Sequence, residues 1–530
     1  MRRFIIITII LLIATALITV VYFKNLNTPA LHTSQTMRVI PNNAALVFEF
    51  NNDAVFYDIF KGNKLFAPLI GEQQLADLDT LRKQLLTNPL IEKFFTGQNA
   101  FISLHPLKDH SLGLLFTIAA AKGFSLTNID QLAKQVTNGL LITPMLFYGK
   151  KGYTIYSTVL KRRFYLLNKE DDVYSGTFSK DLADQCAQYI PQKDKQLFLM
   201  LPDQQNATSL ANLYINYSRL NNLFELLFKN KNTDILKSMR LLPALAALNL
   251  NFKSDALLFT GFTNIQNNLP SSYLTLFVNQ QPVVTHLQDI FPSTTACSMS
   301  FAVSNHKKFK ADLSDWHIKT GLQHEKDSIF NKVKAETGIN LITEFNQVLS
   351  NEFAIVTTRY MEKFAIISLT DGSAFKPVMK NISKMADDDM GQLNYNKLPF
   401  FLLGDPFSLF NHPWFMIIDN YLILANSQAE LKSYTDTYIN RKFQSKIQQY
   451  NQFDNLVAER SNVNWYINFK NAQPVLRQDM NDNFYTDFAN NEPGWKNFYA
   501  LTYQLIAADK NFYTNFCMNL NKADSTLIKK

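Results

Sequence analysis

Histidines, cysteines and clustered acids are the side chains from which a reactive or ligating site would be built. This chain holds eight histidines and three cysteines in 530 residues. His317 and His324 have Glu325 beside the second of them. Metal ligation along one helix wants i, i+4 spacing and a third ligand converging from elsewhere. Their wider spacing, among Lys, Asp and Glu, reads instead as a solvated helix face. His105 and His110 flank a turn-like stretch and are expected to be exposed. Asp387, Asp388 and Asp389 form the densest acid cluster. A calcium loop places its acids at alternating positions around a Gly bend, so a solvated loop is expected there.

Glu49 interrupts the apolar run from Ala44 to Phe50. A buried carboxylate with a raised pKa could serve as a general acid. Because charged side chains are rarely buried, an edge or rim position is expected. Cys186, Cys297 and Cys517 are too few for a disulfide framework. Cys186 shares an apolar helical side with Leu182, Tyr189 and Ile190, which suggests a buried, inert thiol. No G-x-x-x-x-G-K or G-x-G-x-x-G loop, no H-E-x-x-H and no C-x-x-C occurs, nor a G-x-S-x-G elbow. The sequence nominates no catalytic, cofactor-binding or metal-binding residue, and the expectation is a protein that is not an enzyme.

The elements that would position any site repeat. Asn212 leads Leu213-Tyr214-Ile215-Asn216-Tyr217, and Asn464 leads Trp465-Tyr466-Ile467-Asn468-Phe469, 252 residues later (464 − 212). Similar offsets relate the strand openings at Ala44 and Ala296, the segments Leu90–Phe94 and Leu341–Phe345, and Asn99 and Asn351. Asp255 and Asp509 fall at corresponding turns. Ordered pairs at a near-constant period indicate tandem duplication. Residue 301, the counterpart of Glu49, is Phe, so the two halves share no acid at this place. Asn216 and Asn468 are polar residues that recur inside the matched apolar motif. An Asn at a strand-to-helix junction usually bonds its own backbone and starts the helix.

The period predicts one order of elements in both halves: a strand, a strand pair around a short turn, a helix and further short strands. A Ser-capped helix, the repeated motif and a closing pair of strands follow. The later strands are expected at Met145–Tyr148, Tyr153–Val159 and Arg163–Asn168, then at Phe400–Leu403, Trp414–Ile418 and Tyr421–Ala425. The closing pairs are expected at Leu245–Phe252 with Ala256–Phe262 and at Leu501–Ala507 with Phe512–Met518. Ser427-Gln428-Ala429-Glu430 has the form of a capping box. Tyr273–Val278, between the halves, is strand-like. The expected fold is α+β: two tandem-duplicated halves of mostly antiparallel sheet, with helices packed on one face.

Ahead of these halves, Arg2-Arg3 precedes an uncharged apolar run from Phe4 to Phe23. As a helix it would reach about 30 Å, the thickness of a bilayer core. The run lacks a small-x-small cleavage site, so an uncleaved signal anchor is expected. Its Arg pair would hold the N-terminus in the cytoplasm and the body outside. The expected division is 1–24, cytoplasmic tip and transmembrane anchor; 25–37, tether; 38–289, first half; 290–522, second half; 523–530, tail. Setting aside Arg2, Arg3, Lys24, Lys529 and Lys530 leaves 47 basic against 44 acidic side chains. That balance gives no electrostatic footprint for nucleic acid. The 43 Phe residues fit deep aromatic cores or a groove for an apolar ligand.

The anchor, the Pro41-Asn42-Asn43-Ala44-Ala45 opening of the first strand and the strand-rich body together resemble the bacterial family called domain of unknown function 3352. The resemblance spans roughly residues 37–520. It implies an envelope location and supplies no activity and no site residues. The leading expectation is a non-enzymatic scaffold or binding module on the inner membrane, facing the periplasm, with an envelope protein as partner. The alternatives are a carrier or sensor of an apolar ligand held between the two halves, and an envelope hydrolase with a non-standard site.

Overall fold

The computed structural model describes residues 36–521 except 63–64, 67, 69–70, 135–138, 171, 192–208, 230–237, 267–271 and 492–493. The predicted anchor at 1–24 and the tail at 523–530 lie outside the described residues. Among the described residues no helix is long and apolar enough to cross a membrane. The chain divides into two compact units, Met1–Ile59 with Ala76–Ile215, and Phe60–Leu75 with Asn216–Lys530. These are not the sequence halves: the closing strands of the first half belong to the second unit.

The first unit contains β1 (Leu46–Asn51), β2 (Asn99–Pro106), β3 (Leu112–Ala119) and β4 (Leu140–Phe147). It continues with β5 (Lys150–Ser157), β6 (Arg162–Glu170), β7 (Val173–Thr177) and β8 (Ala211–Asn216). All pairings are antiparallel, in the order β8-β1-β2-β3-β7-β6-β5-β4. Side chains alternate between the faces of a strand, and helices cover both faces here, not one. Phe164 of β6 packs with Leu81, Phe95, Phe124 and Ile129. Leu167, on the opposite face, packs with Leu182, Ala183 and Cys186 of the helix Lys180–Gln188. Ser179 caps that helix by accepting from the Leu182 amide at 3.3 Å.

The second unit contains β9 (Ala244–Phe252), β10 (Ala256–Ile265), β11 (Val283–Val284), β12 (Thr295–Ala302) and β13 (Leu349–Thr358). Next come β14 (Lys363–Leu369), β15 (Ser383–Met385), β16 (Met390–Leu393), β17 (Trp414–Ile418) and β18 (Tyr421–Ala425). β19 (Arg460–Ser461), β20 (Val463–Asn468), β21 (Phe498–Ala508) and β22 (Asn511–Leu520) complete it. Its large sheet is antiparallel throughout, in the order β9-β10-β22-β21-β20-β12-β13-β14-β18-β17-β16-β15. β11 and β19 form a separate small pair.

The run from β20 to β15 follows the strand order of the first unit. The register agrees too: Glu49 faces Phe101 and Phe301 faces Phe353, each pair shifted by 252 residues (301 − 49 and 353 − 101). Sequence could not say whether the halves share a sheet. They do in this unit, because β10 of the first half pairs with β22 of the second, Thr260 opposite Asn515.

β13 is buried on both faces. Ala354 and Val356 join Phe364, Ile423 and Tyr434 in one core, while Phe353 stacks on Phe301 at 5.4 Å. Phe277 and Phe407 complete that aromatic cluster, and both are fully buried. Much of the Phe content therefore fills core, as its large apolar area favours.

Several local expectations are corrected. Phe400–Leu403 is the end of a helix, Leu398–Leu403, not a strand. Pro399 in its first turn presets φ for a helix, and so short an apolar run carries no distinguishing period. Tyr273–Phe277 is a 3-10 turn, capped by Ser272, whose hydroxyl accepts from the Leu274 amide. The short β15 and β16 were not foreseen. Trp414–Ile418, Tyr421–Ala425 and both closing strand pairs form as expected, as does the Ser427–Glu430 capping box.

Candidate functional site

The histidines do not lie where sequence placed them. His317 is buried near the end of the helix His306–Lys319. His324 is exposed on the next helix, Gln323–Thr337, so the two share no face. Gly321, at φ +73°, turns the chain between them. His317 lies among Trp316, Phe400 and Phe401. Among the described residues neither of its ring nitrogens has a partner. Burial pushes its pKa down to about 4, so the ring is neutral near pH 7. Among the described residues no group of three His, Cys, Asp or Glu could hold a metal ion. The Asp387–Asp389 loop is solvated as expected. Asp387 accepts from the Asp389 and Met390 amides, and Asp389 pairs with Lys376.

His105 is also buried, at 0% exposure, and not exposed at a turn. It lies on β2, two residues from Ser103, so both side chains enter the same face. Ser103 Oγ lies 2.8 Å from His105 Nε2, and His105 Nδ1 lies 2.7 Å from Asn43 Oδ1. A neutral ring satisfies both contacts if Nδ1–H donates to Asn43 and Nε2 accepts the Ser103 hydroxyl proton. These distances suit a nucleophile, a base and an orienting group. The surroundings do not. Ser103 is fully buried, and burial depresses the His105 pKa to about 3, far from that of a base working near neutrality. The line ties β2 to the segment before β1.

Glu49 is central and buried, not at an edge or rim: β1 lies between β2 and β8, and Glu49 is 4% exposed. Its carboxylate accepts from Asn99 Nδ2 at 2.9 Å, Asn212 Nδ2 at 3.1 Å and the Tyr214 hydroxyl at 2.5 Å. Charge-assisted bonds of this kind compensate for removing a carboxylate from water. Where the second half packs Phe301 into an aromatic cluster, the first half holds an acid in a closed polar network.

The paired Asn residues differ. Asn468 Oδ1 accepts from the Asn471 amide at 3.0 Å, the expected backbone bond. Asn216 precedes its helix without a side-chain cap and instead accepts from Ser218 Oγ at 2.6 Å. All three cysteines are free and buried, and burial raises each thiol pKa. Lys169, not singled out from sequence, is buried. Its ammonium donates to the Cys186, Ala187 and Tyr189 carbonyls at the end of the Lys180–Gln188 helix. There it meets the negative end of the helix dipole, and burial lowers its pKa to about 8.

The feature that sequence reasoning missed altogether is a cavity of about 790 Å³ in the second unit. One side comes from first-half segments: Ser218 and Asn221 on the helix Tyr217–Leu227, Ser238 and Arg240 to Pro243 before β9, and Ser272-Tyr273. The other side comes from the second half, with Trp316 and Thr320 at one helix end and Leu322 and Glu325 at the next helix start. Lys397, Phe400, Asp405, Ser408 and Asn411 complete it.

Tyr273 fixes the wall: its ring lies 6.0 Å from Trp316, and its hydroxyl donates to the Leu403 carbonyl at 2.6 Å. Gly404 lets the ring approach, because a Cβ there would come within 2.0 Å of it. Lys397 Nζ reaches Glu325 Oε1 at 2.5 Å. Among the described residues Ser238 Oγ and Arg240 Nε are buried without partners. Among the described residues the lining holds no histidine and no cysteine. No protein-family model, curated protein or solved structure matches the chain.

Proposed function

We propose that this chain is a non-enzymatic binding module of the bacterial envelope, held to the inner membrane by residues 1–24, with its body outside the cytoplasm. The observation that carries the reading is the cavity of about 790 Å³ in the second unit. That volume lies within the range of small-molecule sites, which combine apolar walls with a few polar groups. The occupant is a small molecule held between segments of the two halves. Those halves descend from one duplicated unit, a reading supported by their common strand order and the matching β1–β2 and β12–β13 registers.

The test uses full-length protein purified in a neutral detergent and extracted with organic solvent. The extract should contain one compound in near-stoichiometric amount, absent from a control membrane protein handled identically. Extracts that match the control would remove the reading. For topology, an enzyme reporter active only outside the cytoplasm, fused after Lys530, should be active. Activity only of a cytoplasmic reporter would reverse the orientation.

A second reading, a scaffold for an envelope protein, draws on β4. Among the described residues this strand pairs only with β5, and Leu141 and Leu146 are more than 60% exposed. An edge strand with apolar side chains can accept an added strand. A photo-crosslinker at residue 146 that captures no discrete partner in cells would remove it.

A further inference from the structure

The cavity lining mixes apolar side chains with polar ones, among them the cations Arg240 and Lys397 and the acids Glu325 and Asp405. Arg240 makes no ion pair and no side-chain hydrogen bond among the described residues, and its Nε is shut off from solvent. Ser238, two residues before it and 1% exposed, has a hydroxyl without a partner among the described residues. Both line the cavity. Buried donors without acceptors are uncommon in folded proteins and mark places where something else supplies the acceptor. Lys397 also lines the cavity, but Glu325 already answers its charge at 2.5 Å. Arg240 is thus the lining cation without an ion pair among the described residues. A guanidinium with its planar fork of donors matches the oxygens of a carboxylate or phosphate. The same lining includes Leu241, Leu242, Trp316 and Phe400, surfaces that suit an apolar or aromatic body.

We infer that the cavity takes an amphiphilic acid, its carboxylate or phosphate on Arg240 and Ser238 and its apolar body against Trp316 and Phe400. This rests on the binding-module reading and names the ligand class. The same chemistry occurs in soluble aromatic acids and in acidic lipids, and the probes separate the two sources.

The experiment uses full-length protein in nanodiscs of neutral lipid, with empty nanodiscs as the blank. Binding is read by quenching of tryptophan emission, since Trp316 lines the cavity. The probes are 1-naphthyl phosphate, dodecyl phosphate, 1-naphthol, 1-naphthylmethylamine and inorganic phosphate. At least one organic phosphate should bind at least tenfold more tightly than naphthol, the amine or inorganic phosphate. Preference for the naphthyl ester points to a soluble aromatic acid, and preference for the dodecyl ester to a lipid. Affinity should fall at least tenfold in Arg240→Gln and several-fold in Ser238→Ala, and should weaken as salt rises. If Arg240→Gln fails to fold, Arg240→Lys and the salt dependence of the unaltered protein carry the test. Equal binding of naphthol or the amine overturns the acidic class and leaves the cavity reading standing. So does a phosphate affinity indifferent to both Arg240→Gln and salt. Binding of inorganic phosphate alone overturns the amphiphile. No binding of any probe up to millimolar concentration overturns the inference and the cavity reading together.

Discussion

Gly404→Ala tests how the cavity wall is built. Gly404 sits at φ +102° and ψ −170°, a region that residues with a Cβ occupy only under strain of about 1–3 kcal/mol. The added methyl would also stand 2.0 Å from the Tyr273 ring. Relieving such an overlap costs typically about 1–3 kcal/mol more. The expected loss is therefore about 4 kcal/mol, taking both costs near their middle. All four tryptophans, at 316, 414, 465 and 495, belong to the second unit. Their emission during urea denaturation reports that unit, and the midpoint should fall by on the order of 1 M. Tyr273→Leu supplies the control. It removes the ring, so Gly404→Ala in that background should cost only the backbone part, about 1–3 kcal/mol. The two substitutions should thus couple, as contacting residues do. A cost below about 1 kcal/mol for Gly404→Ala, or the same cost with and without the Tyr273 ring, would refute the reasoning.

Glu49→Gln leaves one acceptor oxygen to face donors from Asn99, Asn212 and Tyr214. It should destabilise the protein by about 1–3 kcal/mol, the usual cost of an unsatisfied buried group. Urea denaturation followed by circular dichroism measures this, and a cost under about 0.5 kcal/mol would count against the closed network. For His105, the folded pKa of about 3 lies below the usual 6.5, so the unfolded chain binds the proton first as pH falls. The stability linked to this group is present above pH 6.5 and is lost progressively toward pH 3. By pH 5 the loss is about 2 kcal/mol. In His105→Gln that pH dependence should disappear from the difference between pH 7 and pH 5, and an unchanged slope would contradict it. The three thiols should resist a disulfide reagent in the native protein and all react once it is unfolded. Rapid native labelling of Cys186, Cys297 or Cys517 would contradict their burial.

Sequence made the frame legible where a local rule acted alone. β17 and β18 were read with their observed bounds because a short turn separates two apolar runs. Ser427 was read as a cap because its partner lies three residues away. The 252-residue offset anticipated that Glu49 and Phe301 hold equivalent places, and they share a register. Burial was misread where it depends on distant segments. His105 has polar neighbours in sequence, yet its cover comes from Asn43 and from the elements around β2. His317 follows the same pattern, with Phe400 and Phe401 supplied from more than eighty residues away. Glu49 looked too costly to bury, because nothing local announces that Asn99, Asn212 and Tyr214 converge on it. The cavity was invisible for the same reason. Its lining comes from separate stretches between Ser218 and Asn411, none of which carries a motif.

Native mass spectrometry of the full-length protein, with and without Ser408→Trp, tests the central claim most directly. Ser408 is an exposed lining residue, so an indole there should occupy the cavity without disturbing the core. The unaltered protein should carry a non-covalent ligand of one discrete mass. The Ser408→Trp protein, with the same circular dichroism spectrum, should carry none. A bare unaltered protein, or equal occupancy of the two, would contradict the account.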